Sequence, residues 1–249
     1  MPILPLAGRV AIVTGSSRSI GAAIAKKLGA DGASVVVNYV SNAAAADEVV
    51  SAIPEGKAIA VKADAGTMEG GKELLDQTLK AFGKLDILVL NAAMAGSKTL
   101  AEINEDEFDA HMKVNVKGPL FLTQLASPHM KAGGRIILFS STLTSFALVP
   151  PTALLYVATK GAIEQLNRVL AKELGPKGIT VNTISPGPID TDMFRNGKTE
   201  QQIKFFEELH PQKRIGLPEE VAPLVAFLAS DGSSWINGQN IRINGGYTV

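Results

Sequence analysis

The sequence contains no cysteine, and its three histidines are scattered at positions 111, 129 and 210. Without cysteine the protein has neither disulfide bonds nor a thiol nucleophile. The spacing of His111, His129 and His210 does not match any common set of metal ligands. We therefore expect neither thiol chemistry nor a metal site.

The sequence also lacks an excess of charge of either sign. Lys and Arg together number 24, as do Asp and Glu, so the formal net charge is zero. Surfaces that bind nucleic acid are usually strongly basic, so nucleic acid is not an expected partner. No uncharged apolar run reaches about 18 residues, and the N-terminus has no signal-peptide pattern. We expect a cytoplasmic protein with no membrane partner.

The residues that are present favour one α/β domain. The 249 residues are 46% hydrophobic and 19% charged, a composition that can bury one large core. Short β-branched runs alternate with segments of helical periodicity. Strands are predicted at 9–14, 34–38, 57–62, 86–90, 134–139, 179–184 and 240–243. Helices are predicted at 22–30, 43–52, 68–82, 105–129, from 156 onward, 199–209 and 218–229. This alternation predicts a doubly wound (Rossmann) fold, in which a seven-stranded parallel sheet carries helices on both faces and residues 1–249 form a single domain.

A glycine-containing loop joins the first strand to the first helix. Residues 15–21 are Gly-Ser-Ser-Arg-Ser-Ile-Gly. Such a junction directs backbone N–H groups and the positive end of the helix dipole toward an anion, most often a pyrophosphate. The loop therefore predicts a phosphate site.

The second strand ends without a carboxylate. In dinucleotide-binding folds an acidic residue at this position accepts the 2′-hydroxyl of NAD, but residues 38–42 are Asn-Tyr-Val-Ser-Asn. Arg18 can pair with a 2′-phosphate, and Asn38, Ser41 and Asn42 can hydrogen-bond it. NADP(H) is therefore favoured over NAD(H). The alternative is that Arg18 is a solvated loop charge.

Three polar residues suggest proton chemistry. Tyr156 and Lys160 are four residues apart in a predicted helix, so their side chains share one face. A neighbouring cation favours phenolate, and Lys160 is expected to lower the pKa of Tyr156. Ser141 ends a strand 15 residues before Tyr156, and its hydroxyl can reach the same point. The alternative is that Tyr156 and Lys160 are simply two polar residues on a solvated helix face.

Asn115 lies among apolar residues of a predicted helix, where an amide needs a partner. It either holds a water or a bend in the backbone, or it is an ordinary satisfied core amide.

Together the motifs resemble the short-chain dehydrogenase/reductase family over almost the whole chain. The matching residues are Thr14-Gly15-x-x-x-x-x-Gly21, Asp64, Asn91-Ala92, Asn115, Ser141, Tyr156-x-x-x-Lys160, Asn182, Pro186-Gly187 and Thr191. The resemblance implies that Tyr156 is the proton donor in carbonyl reduction and that Ser141 hydrogen-bonds the substrate oxygen. It also implies that Lys160 lowers the phenol pKa and binds the nicotinamide ribose, while Asn115 holds a water of the proton relay.

The same resemblance implies an extended cofactor site. Asp64 would contact the adenine, the backbone after Asn91 the adenosine ribose, and Pro186, Ile189 and Thr191 the nicotinamide. The predicted cofactor contacts are Gly15, Ser17, Arg18, Ser19, Ile20, Gly21, Asn38, Tyr39, Ser41, Asn42, Asp64, Ala65, Asn91, Ala92, Ala93, Tyr156, Lys160, Pro186, Gly187, Ile189 and Thr191.

Three features depart from the usual family pattern. Ser19 stands where glycine is common, and we expect it to cap the first helix and alter cofactor contacts. Leu90 stands where the first of two asparagines is common. The segment from Ser141 to Tyr156 is longer than usual and contains Pro150-Pro151.

Apolar residues from three segments are predicted to line a substrate pocket: Met94, Leu143, Leu148, Met193, Phe194 and Phe205. About half of such residues would instead pack against the sheet or another subunit. Residues 192–215 would form a substrate loop that closes as a lid. An apolar pocket favours an apolar or aromatic ketone or aldehyde.

The leading interpretation is NADPH-dependent reduction of such a carbonyl compound. The alternatives are an NAD(P)-dependent oxidation of an alcohol or polyol, and a non-catalytic NADP(H)-sensing or scaffold role. Small residues on the Tyr156 helix, namely Ala158, Gly161 and Ala162, favour a homo-oligomer, either a dimer or a tetramer. The same residues would also suit packing within one subunit.

Overall fold

Seven strands form one sheet in the computed structural model, which describes residues 4–249. Residues 1–3, which the predicted domain 1–249 includes, lie outside the described residues. The strands are β1 Val10–Val13, β2 Ser34–Tyr39, β3 Ala58–Lys62, β4 Ile87–Leu90, β5 Arg135–Phe139, β6 Thr180–Pro186 and β7 Asn240–Ile243. They lie in the order β3-β2-β1-β4-β5-β6-β7, and every neighbouring pair is parallel. The predicted seven-stranded parallel sheet is confirmed.

Helices cover both faces of the sheet, as predicted. They are α1 Ser19–Ala30, α2 Ala43–Ser51, α3 Met68–Phe82, α4 Glu105–Met112, α5 Gly118–Ala126, α6 Leu154–Leu174, α7 Asp192–Arg195, α8 Glu200–Leu209 and α9 Pro218–Ala229. One apolar core lies between the sheet and α1, α2 and α9, and a second lies between the sheet and α3, α5 and α6. Within residues 4–249, no helix is long and apolar enough to cross a membrane.

Strand residues alternate between the two cores. In β1, Ala11 and Val13 belong to the first core, whereas Ile12 belongs to the second. All residues of β1 and β4 are buried, which is typical of parallel strands covered on both faces. Leu90, at the end of β4, packs in the second core. Because all strands run the same way, their carboxyl ends lie at one edge of the sheet, and most of the predicted site residues follow them there.

The helix predicted over residues 105–129 is confirmed as one unbroken helical segment, and it contains a π-helical turn that was not predicted. A π-helical turn over Lys113–Lys117 separates α4 from α5. The N–H of Gly118 bonds to the carbonyl of Lys113, five residues earlier, which is the π-helical pattern. Pro119 has no N–H, so it cannot continue an α-helical pattern to the carbonyl of Asn115.

Asn38 is a structural residue at the end of β2. Its side chain is 2% exposed. The Oδ1 atom accepts a hydrogen bond from the N–H of Gly15 at 3.0 Å, and Nδ2 donates to the carbonyl of Ala63 at 2.9 Å. The amide therefore ties the first loop to β2 and to the segment after β3. It is not free to bind a 2′-phosphate, which corrects the role predicted for the Asn38 side chain.

The start of α1 contains a strained residue. Ser19 is the first residue of the helix and has φ of 51°, in the left-handed region that favours glycine. The N-cap is Arg18, and no side chain caps the helix. The expectation that Ser19 caps the helix was therefore wrong.

Replacement of Ser19 by glycine should stabilise the protein. A left-handed conformation costs an L-residue about 1–2 kcal/mol. Glycine avoids this cost, but it loses more conformational entropy on folding, which lowers stability by roughly 0.5–1 kcal/mol. The Ser19 side chain makes no hydrogen bond that would be lost. We expect Ser19→Gly to raise the free energy of unfolding, measured by urea denaturation, by roughly 0.5–1 kcal/mol.

Ser17→Gly is the matched control, because Ser17 does not have a positive φ. Glycine at that position should lower the free energy of unfolding. A destabilised Ser19→Gly protein would show that the backbone at Ser19 is not strained.

Candidate active site

The helix α6 places Tyr156 and Lys160 on one face, as predicted. Lys160 is 3% exposed, and its Nζ atom donates to the carbonyl of Phe139 at 2.8 Å. The same atom lies 5.5 Å from the centre of the Tyr156 ring. Because Phe139 ends β5, this bond fixes the ammonium group between the helix and the carboxyl edge of the sheet. Lys160 is therefore not solvated, and Tyr156 beside it is partly buried.

The pKa values of this pair differ from the expectation. Burial raises the pKa of Tyr156, and a hydrogen bond with the Ser141 side chain opposes this increase. The expected lowering of that pKa by Lys160 is not observed, because desolvation has the largest effect and raises it. Burial also lowers the pKa of Lys160 to about 8. At neutral pH, Tyr156 therefore keeps its proton and most Lys160 side chains are charged.

Ser141 is the second residue after β5 and is buried. Its Oγ atom accepts a hydrogen bond from the N–H of Leu143 at 3.2 Å. The next residue, Thr142, donates from Oγ1 to the carbonyl of Ser185 in β6 at 3.1 Å. The backbone contact with Leu143 uses the Ser141 oxygen as an acceptor, so the hydroxyl hydrogen remains for a bond to Tyr156 or to a ligand. Ser141 thus has the freedom that a substrate-binding hydroxyl requires.

Asn115 lies in the π-helical turn, and its side chain has three partners. Its Oδ1 atom accepts from the N–H of Met94 at 2.8 Å. Its Nδ2 atom donates to the carbonyl of Met94 at 2.9 Å and to Oγ1 of Thr159 at 3.0 Å. Thr159 in turn donates to the carbonyl of Tyr156 at 2.7 Å. The amide is therefore satisfied within the protein, and it connects the loop after β4 to the helix of Tyr156.

Thr159 was not predicted from the sequence. Its partner Asn115 lies 44 residues away in the chain. No local sequence pattern around Thr159 could therefore reveal this contact. A relay water would have to be bound by the backbone of the π-helical turn, since the Asn115 side chain is already engaged.

The first loop forms a narrow cradle in front of α1. Asn91 donates from Nδ2 to the carbonyls of Thr14 and Gly15 at 2.9 and 3.1 Å. A Cβ atom on Gly15 would lie 3.1 Å from Cα of Ala92, and one on Gly21 would lie 2.4 Å from the carbonyl oxygen of Gly15. Both positions therefore require glycine.

The amino end of α1 is suited to an anion. It has neither a capping side chain nor an acidic residue in its first turn. Its backbone N–H groups and its dipole are therefore available to a phosphate group. The predicted phosphate contacts Gly15, Ser17, Ser19, Ile20 and Gly21 lie in or next to this cradle, which fits the pyrophosphate of a dinucleotide.

Arg18 and the end of β2 lie beside the cradle. Arg18 is exposed and contacts Asp192 of α7 at 3.3 Å, where both side chains are mostly in solvent. Ser41 is exposed, and Tyr39 is partly exposed. Asn42 accepts from the N–H of Ala45 at 3.0 Å and so caps α2. Its Oδ1 atom is thus engaged, and only its amide N–H groups remain for a ligand.

Asp64 has a partner that was not predicted. Its Oδ2 atom accepts from Nζ of Lys113 at 2.9 Å, and Oδ1 accepts from the N–H of Gly66 at 2.9 Å. The bond with Lys113 lowers the pKa of Asp64, against the effect of burial. Ala65 beside it is buried. The carboxylate therefore stays ionised at the adenine end of the predicted cofactor site.

The residues predicted to flank the nicotinamide follow β6. Pro186 ends that strand, and a Cβ atom on Gly187 would lie 2.8 Å from Cβ of Asn244. Ile189 pairs with Gly216 in an isolated bridge. Thr191 caps α7 by accepting a hydrogen bond from the N–H of Phe194 at 3.1 Å.

The predicted cofactor contacts Ala92 and Ala93 lie in the loop after β4. Ala92 donates its N–H to Oγ1 of Thr14 at 3.0 Å, and Ala93 is the next residue.

The predicted pocket residues form two groups. Phe194 contacts Phe206 with ring centres 5.4 Å apart, and Phe206 contacts Phe205 at 5.9 Å. This aromatic cluster lies within the predicted substrate loop, where Phe205 is 58% exposed and Met193 is also exposed. Met94 and Leu143 are partly buried, whereas Leu148 is 68% exposed.

Comparisons with known proteins agree with this geometry. The protein family described as enoyl-(acyl carrier protein) reductase matches residues 15–248. Versicolorin reductase stcU of Emericella nidulans is 44% identical over 254 residues, which cover 97% of this chain and 96% of that protein.

Solved structures give the same result. A short-chain dehydrogenase from Burkholderia cenocepacia J2315 in complex with NADP has a TM-score of 0.92 and 38% identity, and the match covers 98% of this chain and 100% of that one. An angucycline C-6 ketoreductase with bound NADP has a TM-score of 0.91 and 38% identity, with 98% and 96% covered.

Both the fold and the sequence matches extend over nearly the whole chain. The resemblance inferred from the motifs is confirmed, as is the doubly wound fold. The chain belongs to the short-chain dehydrogenase/reductase family and is a nicotinamide-dependent oxidoreductase.

Proposed function

We propose that the protein reduces a ketone or aldehyde to an alcohol with NADPH, and that Tyr156 donates the proton. The observation that carries the proposal is the arrangement of Ser141, Tyr156 and Lys160 at the carboxyl edge of the sheet, beside a cradle that fits a dinucleotide. The names of two relatives, a versicolorin reductase and an angucycline ketoreductase, support reduction of a carbonyl group.

Each side chain has a defined task in this reaction. Bound NADPH supplies a hydride to the carbonyl carbon. The Ser141 hydroxyl donates a hydrogen bond to the carbonyl oxygen, and Tyr156 gives that oxygen its proton, which completes the alcohol. The Lys160 ammonium, fixed by Phe139, stabilises the phenolate that remains. Asn115 and Thr159 hold the loop after β4 against the helix that carries the phenol.

The names of the two relatives favour reduction over the alternative, oxidation of an alcohol or polyol. Reduction uses the phenol as an acid, and burial, which raises the pKa of Tyr156, is compatible with that role. The presence of Ser141, Tyr156, Lys160 and Asn115 together in one sequence argues against a purely cofactor-sensing or scaffold role.

Three observations support NADP(H) over NAD(H). The end of β2 carries no carboxylate, and Asn38 is committed to the fold. Arg18 pairs only with an exposed carboxylate, and such surface pairs contribute little free energy. Its guanidinium can therefore turn to a 2′-phosphate, for which Ser41 and Tyr39 provide neighbouring polar groups. Both solved relatives named above contain NADP.

The substrate loop supports an apolar or aromatic substrate. Phe194, Phe205 and Phe206 form an aromatic cluster in which Phe205 is exposed and the other two are partly buried, and the cluster offers aromatic surface to a flat ligand. We propose that residues 192–215 close over the substrate and that Met94, Leu143, Leu148 and Met193 complete the apolar wall.

We also propose that the protein forms a dimer or a tetramer through α6. Ala158 is exposed, and a Cβ atom on Gly161 would meet nothing within 4 Å. Val169, on the same helix, is 54% exposed. Small residues with open space above them let another helix approach closely.

Replacement of Tyr156 by phenylalanine should abolish turnover. The variant keeps the ring but loses the proton, so kcat should fall by about 10³-fold or more. NADPH should still bind, as measured by the change in its fluorescence. Substantial turnover by Tyr156→Phe would show that another group supplies the proton.

Removal of the Arg18 charge should weaken binding of NADPH and leave binding of NADH almost unchanged. Loss of one charge-assisted contact corresponds to about a 10- to 100-fold rise in the Kd of NADPH. The control is Arg168→Ala, which removes an equal charge from the exposed face of α6. A wild-type preference for NADH, or an equal loss for both cofactors in Arg18→Ala, would contradict the assignment.

Light scattering on the purified protein tests the oligomeric state. The mass should be two or four times that of the 26.1 kDa chain. A strict monomer across a range of protein concentrations would remove the proposed α6 interface.

A further inference from the structure

Glu164 extends the line of functional residues on α6. It follows Lys160 by four residues and Tyr156 by eight, so all three side chains lie along one side of the helix. Lys160 and Tyr156 have tasks in the proposed reaction, whereas the carboxylate of Glu164 has none so far.

One oxygen of Glu164 accepts two short hydrogen bonds. Oε1 lies 2.7 Å from Oγ of Ser140 and 2.7 Å from Oγ1 of Thr144. Each hydroxyl also lies near a backbone carbonyl. The Ser140 hydroxyl is 3.3 Å from the carbonyl of Lys160, and the Thr144 hydroxyl is 2.9 Å from the carbonyl of Ser141. A hydroxyl has one hydrogen to donate, and bonds to a carboxylate are shorter and stronger than bonds to a neutral carbonyl. Both hydroxyls therefore donate to Glu164.

These two hydroxyls flank Ser141 on both sides. Ser140 precedes it, and Thr144 lies in the 3-10 turn Thr142–Ser145 that follows it. Ser141 follows a strand, whereas Tyr156 lies on a helix, and a loop joins the two elements. The carboxylate of Glu164 thus ties the serine segment directly to the helix of the tyrosine.

We propose that Glu164 is a positioning residue that sets the distance between the Ser141 hydroxyl and the Tyr156 phenol. This inference rests on the proposed function, because it assigns Glu164 a role in the same proton transfer. A misplacement of about 1 Å between reacting groups can lower a rate by about 10²-fold. The position of Ser141 also affects how readily the phenol loses its proton, because that side chain lowers the pKa of Tyr156.

Three variants separate this role from a general effect on folding. Glu164→Leu replaces the two carboxylate oxygens with an apolar side chain of similar size. Glu164→Gln keeps one acceptor oxygen for the hydroxyls of Ser140 and Thr144. Glu173→Leu makes the same chemical change at an exposed position of the same helix. We expect kcat with a ketone to fall about 10- to 100-fold in Glu164→Leu alone. The Kd of NADPH and the melting temperature should stay close to wild type, and Glu164→Gln should restore most of kcat.

A double variant tests whether Glu164 acts through Ser141. If it does, Ser141→Ala combined with Glu164→Leu should lose no more activity than Ser141→Ala alone. Losses that multiply in the double variant would overturn the inference. An unchanged kcat in Glu164→Leu, or the same loss in Glu173→Leu, would also overturn it.

Hydrogen exchange gives a readout that does not depend on turnover. The backbone amides of residues 141–146 should exchange faster in Glu164→Leu and at the wild-type rate in Glu164→Gln. If the wild-type protein reduces no ketone, the proposed function fails and the positioning role fails with it, while the exchange data still decide whether Glu164 holds the segment. If the wild type is active and exchange is unchanged in Glu164→Leu, only the inference about Glu164 fails.

Discussion

The parallel direction of the seven strands is the constraint on which the site depends. Because the sheet runs outward from β1 in both directions, the loops after β1 and β4 lie side by side at its carboxyl edge. Asn91 joins these two loops through the carbonyls of Thr14 and Gly15. Asn38 joins the first loop to β2 and β3. The phosphate cradle is thus held by two side-chain amides, one near the end of β2 and one directly after β4.

A second set of contacts connects the sheet to α6, the helix that carries the proposed proton donor Tyr156. Lys160 bonds to the end of β5, Asn115 and Thr159 connect α6 to the loop after β4, and Glu164 connects it to the serine segment. One of these contacts is made by Asn115, which lies in the π-helical turn. The helix is therefore fixed to three neighbouring segments within three turns, which is the rigidity that a proton transfer between side chains requires.

Much of the fold and the catalytic set followed from local patterns. β-branched runs marked the strands, and the four-residue spacing placed Tyr156 and Lys160 on one face. The errors came where distant contacts decide the outcome. Asn38 stood at the expected position, but its amide is used by Gly15 and Ala63, which are far away in the sequence. The direction of the Tyr156 pKa depends on burial, which no spacing reveals. Lys113, Thr159 and Glu164 were missed for the same reason, since their partners lie 20 or more residues away.

The central claim is that a hydride and a proton reach the substrate from two separate sources, the cofactor and Tyr156. Isotope transfer tests it most directly. NADPH that carries deuterium at its transferable position should be supplied with a ketone, and the alcohol product examined by mass spectrometry. The account predicts one deuterium on the carbinol carbon, with hydroxyl hydrogen taken from solvent. Product alcohol without deuterium on that carbon, or with carbon-bound deuterium taken from heavy water, would contradict it.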